Sequence, residues 1–316
     1  MIRAVLLFLF VGAPVIFAQT GPSILVKPWQ SQPHWAETRD EVVVQERADT
    51  KGGKDAEIWA WDSTGRVKLS KDSTEPDLVI GYRVLSLSVD SDLGPIHGDY
   101  WDLGLVVGGR VAKWDTGWEL YLLGGAGSAN DGHFKDEEGV YGMGAVHFAK
   151  HIADGSELNF GLSYDGHRLF WPDVPLPYLS YQRKLNDQLT AVVGLPFGGL
   201  YWRPMERLTV DAQYTLPADL KGRVSYYFTK NLSLFAEYGR SEDAFSIEKL
   251  QNRRLFYSAR RVFTGIRWVT RLADISLGGG YSFDQEFSTG FDLRDTHTVT
   301  KVDDTPFVML RLDGTF

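Results

Sequence analysis

The sequence predicts an all-β fold, a transmembrane antiparallel β-barrel of about fourteen strands, with twelve as the smaller count. Three observations carry this. From about Asp77 to Phe316, apolar residues alternate with polar or small ones in segment after segment, which is the period-two signature of a strand. The connections between segments alternate short and long, as they do in outer-membrane barrels. The face opposite the apolar one carries full charges in many segments, which suits a closed lumen. Composition agrees. A mean hydropathy of −0.20 is low for a helical membrane protein but ordinary for strands that alternate. A net charge of −8 argues against nucleic-acid binding, and the absence of cysteine excludes disulfide and thiolate-metal frameworks.

Residues 1–18 read as a secretory signal peptide. Arg3 supplies the positive charge, Ala4 to Phe17 the apolar run, and Ala18 the small residue before a polar one. The run is shorter than the roughly 20 residues a spanning helix needs. Residues 19–75 are expected to be a periplasmic segment or an extra hairpin. Pro22, Pro28 and Pro33 break regular structure, whereas Glu41-Val42-Val43-Val44 and Glu57-Ile58-Trp59-Ala60-Trp61 have strand character. The barrel is expected over 76–316.

Within it the alternation is plain. Leu208, Val210, Ala212, Tyr214 and Leu216 oppose Thr209, Asp211, Gln213 and Thr215. Leu220, Gly222, Val224, Tyr226 and Phe228 oppose Lys221, Arg223, Ser225 and Tyr227. Strands are expected near 77–90, 99–113, 117–128, 138–150, 155–166, 175–184, 188–195, 199–204, 206–216, 219–229, 231–243, 255–270, 272–286 and 305–316. Short turns follow Lys113, Phe148, Tyr181, Trp202, Phe228 and Trp268. Long polar connections lie near 91–98, 128–138, 166–175, 241–254 and 284–305. A turn at Pro196-Phe197-Gly198-Gly199 restores an even count, because Pro and Gly are poor in strand interiors.

In a bilayer no open sheet edge is tolerated, so the strands must close. Aromatic residues at the ends of the apolar faces (Trp101, Trp118, Tyr164, Tyr214, Phe228, Tyr238, Tyr281 and Phe316) suit an interfacial girdle. The lumen is expected to hold Asp102, Arg110, Glu119, Asp211, Lys221, Arg223, Glu237, Arg267, Asp274 and Arg311. In the last segment Val308, Leu310, Leu312 and Phe316 should face lipid, with Arg311 and Asp313 inside and Leu78–Val89 as the pairing strand. Phe316 reads as an assembly signal for the barrel-assembly machinery.

The stretches Leu179-Ser180-Tyr181-Gln182-Arg183-Lys184-Leu185, Val193 to Pro204, Asn252-Arg253-Arg254 and Gly280-Tyr281-Ser282-Phe283-Asp284 resemble an outer-membrane barrel family of uncharacterised function, the DUF6268-like proteins. The resemblance covers roughly 75–316. It implies a barrel and brings no catalytic residues.

Other chemistry is weak. Ser163, Asp165 and His167 share one face, but residues two apart on a strand are about 6–7 Å apart with parallel side chains, too far for a relay. His147 and His151 have helical ligand spacing at a strand end. His133, Asp131, Asp136, Glu137 and Glu138 could hold Ca²⁺ weakly but lack EF-hand spacing, so solvated loop charge is the better reading. The glycine runs at 124–127 and 278–280 lack a following helix, which argues against phosphate binding. Arg253, Arg254, Arg260, Arg261 and Arg267 could draw anions into a lumen, or pair with Glu237 and Asp274. The expected function is a passive pore for small polar solutes, with a non-conducting structural or binding barrel as the alternative and a lipid-modifying enzyme behind both. No enzymatic activity, cofactor, metal or nucleic acid is expected. The expected partner is outer-membrane lipid.

Overall fold

The structure, a computed structural model, describes residues 35–69, 78–93, 96–132, 137–152, 155–217, 219–247, 250 and 253–316. The expected signal peptide, His133 and Asp136 lie outside these residues. The strand segments are β1 (Ala36–Gln45), β2 (Ala48–Asp49), β3 (Asp55–Lys68), β4 (Val79–Ser91), β5 (Gly98–Lys113), β6 (Trp118–Asn130), β7 (Val140–His151), β8 (Glu157–Asp165) and β9 (Leu176–Asn186). They continue with β10 (Leu189–Leu195), β11 (Phe197–Met205), β12 (Leu208–Thr215), β13 (Asp219–Tyr227), β14 (Leu232–Ser246), β15 (Arg254–Val269), β16 (Ala273–Gly290), β17 (His297–Val302) and β18 (Thr305–Thr315). Neighbours pair antiparallel, and β1 pairs with β18, so the sheet closes on itself. Segment β2 continues β1 past Glu46 and Arg47, and β17 runs into β18 past Asp303 and Asp304. Counted in this way, the described wall has sixteen strands.

This corrects the expected fourteen. The two further strands are β1 with β2, and β3, both drawn from the 19–75 stretch. It also corrects the closing pair: β18 does not meet Leu78–Val89. It meets β1, with Glu37 opposite Thr315, Glu41 opposite Arg311 and Gln45 opposite Phe307. The physical reason is polarity on the outer face. Thr38, opposite Gly314, and Asp40, opposite Leu312, lie on the face away from Glu41, and Ser63 lies across from Asp40. These groups satisfy one another: the Thr38 hydroxyl donates to Asp40 at 3.1 Å and lies 3.0 Å from the Tyr82 hydroxyl. The alternation of β1 and β3 is therefore masked at one end.

The barrel has two unlike ends. The near end holds Ala36, Phe316 and short turns such as 187–188, 206–207 and 270–272. The far end is uneven. Strands β10 to β13 have only 7, 9, 8 and 9 residues, whereas β14, β15 and β16 have 15, 16 and 18. Strand β16 also runs four residues past the expected end at 286, because β17 pairs with it inside the stretch read as a long connection.

The outer face carries an apolar belt that includes Leu105, Val107, Val146, Leu162, Val224, Ile266, Leu277 and Leu310, all exposed. Full burial of such a side chain is worth roughly 1.5–3 kcal/mol, and each of these, about half exposed, would gain part of that on leaving water. A belt this continuous needs an apolar surrounding. Trp202, Phe228, Trp268 and Phe316 stand exposed at its near-end margin.

The apolar core lies inside the barrel at the far end. The last residue of β14 paired to β13 is Arg240, opposite Leu220, and β14 then continues alone on that side to Ser246. The β15–β16 register shifts between Ser258 and Arg260, and Asp284 takes a positive φ of 50°. This bulge bends the tip of β14–β16 over the lumen as a cap. One face of the cap (Phe245, Leu255, Tyr257 and Phe287) packs against Ile58, Leu87, Val89 and Tyr100 of the opposite wall. Its other face, with Ala244 and Phe256, is covered by Leu169 and Leu293 from two connections. The cap's edge reaches β6: Ser246 bridges Asn130 in parallel, and the Asp131 amide donates to the Ser246 carbonyl at 3.1 Å.

Candidate functional site

Beneath the cap lies a cavity of about 480 Å³. Its lining runs from the near-end rim, at Glu37, Thr270, Asp274 and Thr315, to the low far-end rim, at Thr215, Asp219 and Leu220. Period-two geometry places the charges here. Strands that present Leu and Val outward must present their intervening residues inward.

An ion-pair group forms one wall. Arg311 of β18, fully buried, donates to Glu237 of β14 through both terminal nitrogens, each at 3.0 Å. Its Nε donates to Glu41 of β1 at 2.7 Å. Glu237 also accepts from Arg223 Nε at 2.6 Å and lies 2.9 Å from Lys221 Nζ. Arg311 and Arg223 stand over the rings of Phe263 and Phe235. Three cations thus share two carboxylates within the lumen, and the paired strands are braced from inside. Close by, Arg267 pairs with Asp274, and Arg39 lies 3.6 Å from Asp313.

A second network sits directly under the cap. Arg83 donates to Asp102 at 2.7 Å and to Asp243 at 3.1 Å, and the Tyr141 hydroxyl donates to Asp102 at 2.5 Å. The β8–β9 connection clasps the outer side of the cap. The His167 ring lies 2.7 Å from the Ala244 carbonyl and stacks on Tyr141. Arg254 donates to the carbonyls of His167, Arg168 and Phe291 at 2.9–3.1 Å, and the Leu293 amide donates to the Leu169 carbonyl at 3.0 Å. Burial in this mouth pushes the His167 imidazole down to about 4, with Arg254 adding to the fall.

The residues expected in the lumen fall into separate groups. Asp211, Lys221, Arg223, Glu237, Arg267 and Asp274 line the cavity, and Arg311 lies behind Glu237. Asp102 belongs to the network under the cap. Arg110 and Glu119 form their own group near the opposite turn, 3.3 Å apart, with Lys113 and Tyr121 also on Glu119. Of the five arginines read as a basic group, Arg267 pairs with Asp274, Arg260 with Asp284, and Arg254 holds carbonyls. The charged groups that sequence reasoning missed are Arg39, Glu41, Asp62 and Arg83, on β1, β3 and β4, together with Asp219 and Asp243. The signal for Arg39, Glu41 and Val43 was their spacing by two.

Ser163, Asp165 and His167 form no relay. The Ser163 hydroxyl accepts from Arg168, Asp165 accepts the His167 amide, and the His167 ring is spent on a carbonyl. His147 and His151 do not share a ligand position. His147 is buried with its Nδ1 2.6 Å from the Tyr178 hydroxyl, while His151 is half exposed beside Glu157. Among the described residues no group of three or more metal-ligating side chains converges.

No family model matches the chain, and no curated protein matches it, so the likeness to the DUF6268-like family remains a resemblance. Solved structures do align. An outer membrane channel from Pseudomonas putida F1 shares 12% identity over 91% of this chain and 98% of that one, with a TM-score of 0.36. A deletion mutant of the TodX monoaromatic hydrocarbon channel shares 9% over 94% and 93%, with a TM-score of 0.38. OpdQ of Pseudomonas aeruginosa shares 10% over 89% and 98%, with a TM-score of 0.36. At these scores the likeness carries no argument; the barrel fold rests on the strand pairing above.

Proposed function

We propose that this chain is an outer-membrane β-barrel that conducts small polar solutes. The observation that carries the reading is the charged cavity reaching from the near-end rim to the low far-end rim inside an apolar-skinned wall. The near end, with its short turns, would face the periplasm, and the cap would face outward. Lipid would surround the apolar belt, and Phe316, exposed beside the closing seam, would serve the assembly machinery. The mechanism is diffusion past paired charges that replace part of a solute's hydration, with no catalytic step.

One feature favours a second reading. The cap buries both of its faces, which suits a barrel that does not conduct and serves a structural or binding role. Single-channel recording of the refolded protein in a planar bilayer separates the two. Discrete conductance steps are expected; a trace no different from bare bilayer would defeat the pore reading in favour of the closed barrel.

A further inference from the structure

Resting on that reading, we infer that the conducting route leaves the barrel off its axis, through the gap between the low β12–β13 rim and the free edge of the cap, and that it takes small cations. The axis is filled. Phe245 and Tyr257 of the cap press on the opposite wall, and Ser246 closes against Asn130. The cavity instead reaches Thr215 and Asp219 on the low rim, and Glu242 and Asp243 on the cap strand facing it. Those residues come together because β13 ends its pairing at Leu220 while β14 runs on to Ser246. The far end of the cavity is thus bounded by a short wall on one side and an unpaired strand edge on the other.

Charge sets the solute class. Among the described residues, Asp62, Asp211 and Asp219 line the cavity without an ion-pair partner. Among the described residues, Arg261 is the one lining cation without a carboxylate within ion-pair distance, and it stands over the Phe307 ring. The other lining cations lie beside acids such as Glu37, Glu237, Glu242 and Asp274, with Lys221 and Arg223 sharing Glu237, and the described lining holds ten carboxyl groups against eight cations. With those carboxyls ionised the surplus is negative, and it is spread from mid-lumen to the low rim. In a narrow, partly dehydrated passage such a surplus favours cations over anions.

The chain has no cysteine, so single introduced thiols report cleanly. Thr215→Cys and Thr298→Cys, the latter on β17 above the apolar core, are refolded and checked for the gel shift between heated and unheated barrel. Each is then treated with a cationic thiosulfonate during bilayer recording. Thr215→Cys is expected to lose more than half its conductance and Thr298→Cys to keep it. Block from position 298 without block from 215 would place the exit on the axis and overturn the inference. In a KCl gradient, the reversal potential of the unmodified protein should show cation preference, and Asp211→Asn with Asp219→Asn should move it toward zero. A reversal potential that favours chloride, or that ignores both substitutions, would overturn the cation assignment. Steps that are insensitive to all of these changes sink this inference alone, whereas the absence of any steps sinks the pore reading itself.

Discussion

Arg311 and Glu237 sit on strands that are not neighbours, yet they meet inside the barrel through two hydrogen bonds of 3.0 Å each. The pair links β18 to β14 over the inner face of β15 and β16, and their environments are unequal. Glu237 has three cationic partners, whereas Arg311 has Glu41 as well as Glu237. Removing Glu237 therefore strands more charge than removing Arg311. Breaking such a buried pair costs about 3–5 kcal/mol. Glu237→Leu is expected near the upper end and Arg311→Leu near the lower, read from urea unfolding midpoints in detergent. The reverse order would mean that Arg223 and Lys221 find other partners.

The cap should respond to its anchors. Phe245 is fully buried in the core between cap and wall. Phe245→Ala removes that contact at a cost of about 3–5 kcal/mol, felt locally. The expected result is faster proteolysis within 241–260 and a larger, noisier conductance, while the remaining strands stay protected. Unchanged proteolysis together with unchanged conductance would show that the cap is not held by this core.

The clasp on the cap should be sensitive to acid. His167 is held neutral, with its imidazole pushed down to about 4 by burial, whereas a free loop histidine takes a proton near 6.5. The open loop therefore binds the proton more readily than the closed one. Closure should be constant above about pH 7 and weaken as pH falls from about 6.5 toward 4. Hydrogen exchange in 166–175, corrected for intrinsic rate, should rise between pH 7.5 and 5 in the native protein and change little in His167→Gln. Equal pH dependence in both proteins would place the sensitivity elsewhere.

Two glycines make a matched test of the wall. A Cβ on Gly280 would lie 2.0 Å from the Val262 carbonyl oxygen and 2.5 Å from the Phe263 backbone, neither of which can turn aside. A Cβ on Gly124 meets nothing within 4 Å. Gly280→Ala should therefore lower the yield of heat-modifiable barrel sharply, and Gly124→Ala should refold as well as the native chain. Comparable refolding yields would mean that the β15–β16 pairing relaxes locally.

Much of the wall was legible from period alone. From β5 to β15 the outward Leu, Val and aromatic residues are uninterrupted enough that a strand and its faces could be read directly. The low rim was legible too, because Pro196 breaks the run between β10 and β11, although Phe197, Gly198 and Gly199 of the expected turn belong to β11. The count failed where the outer face turned polar. Thr38, Asp40 and Ser63 erase the apolar row of β1 and β3, although Arg39, Glu41 and Val43 kept their spacing. The cap was illegible for a different reason. Ala244 and Phe256 on one face, and Phe245 and Tyr257 on the other, are both buried. A tip covered on both sides has no alternation to read, so 241–254 looked like a loop. The cavity depends on which strands stand opposite one another, and local pattern does not carry that.

The seam between β1 and β18 joins residues 37–45 to residues 307–315, nearly the full described length apart in the chain. Contacts so distant in sequence form late, because the loop they close is the whole barrel. Until they form, the wall is an open, curling sheet with two raw edges, each a template for a foreign strand. Arg311 and Glu41 lie opposite each other in that seam. Ring closure therefore gives Glu41 its cation and adds a second carboxylate to an arginine that Glu237 already holds, and a chain shortened through either strand of the seam would remain an unclosed ribbon, prone to pair with its own copies.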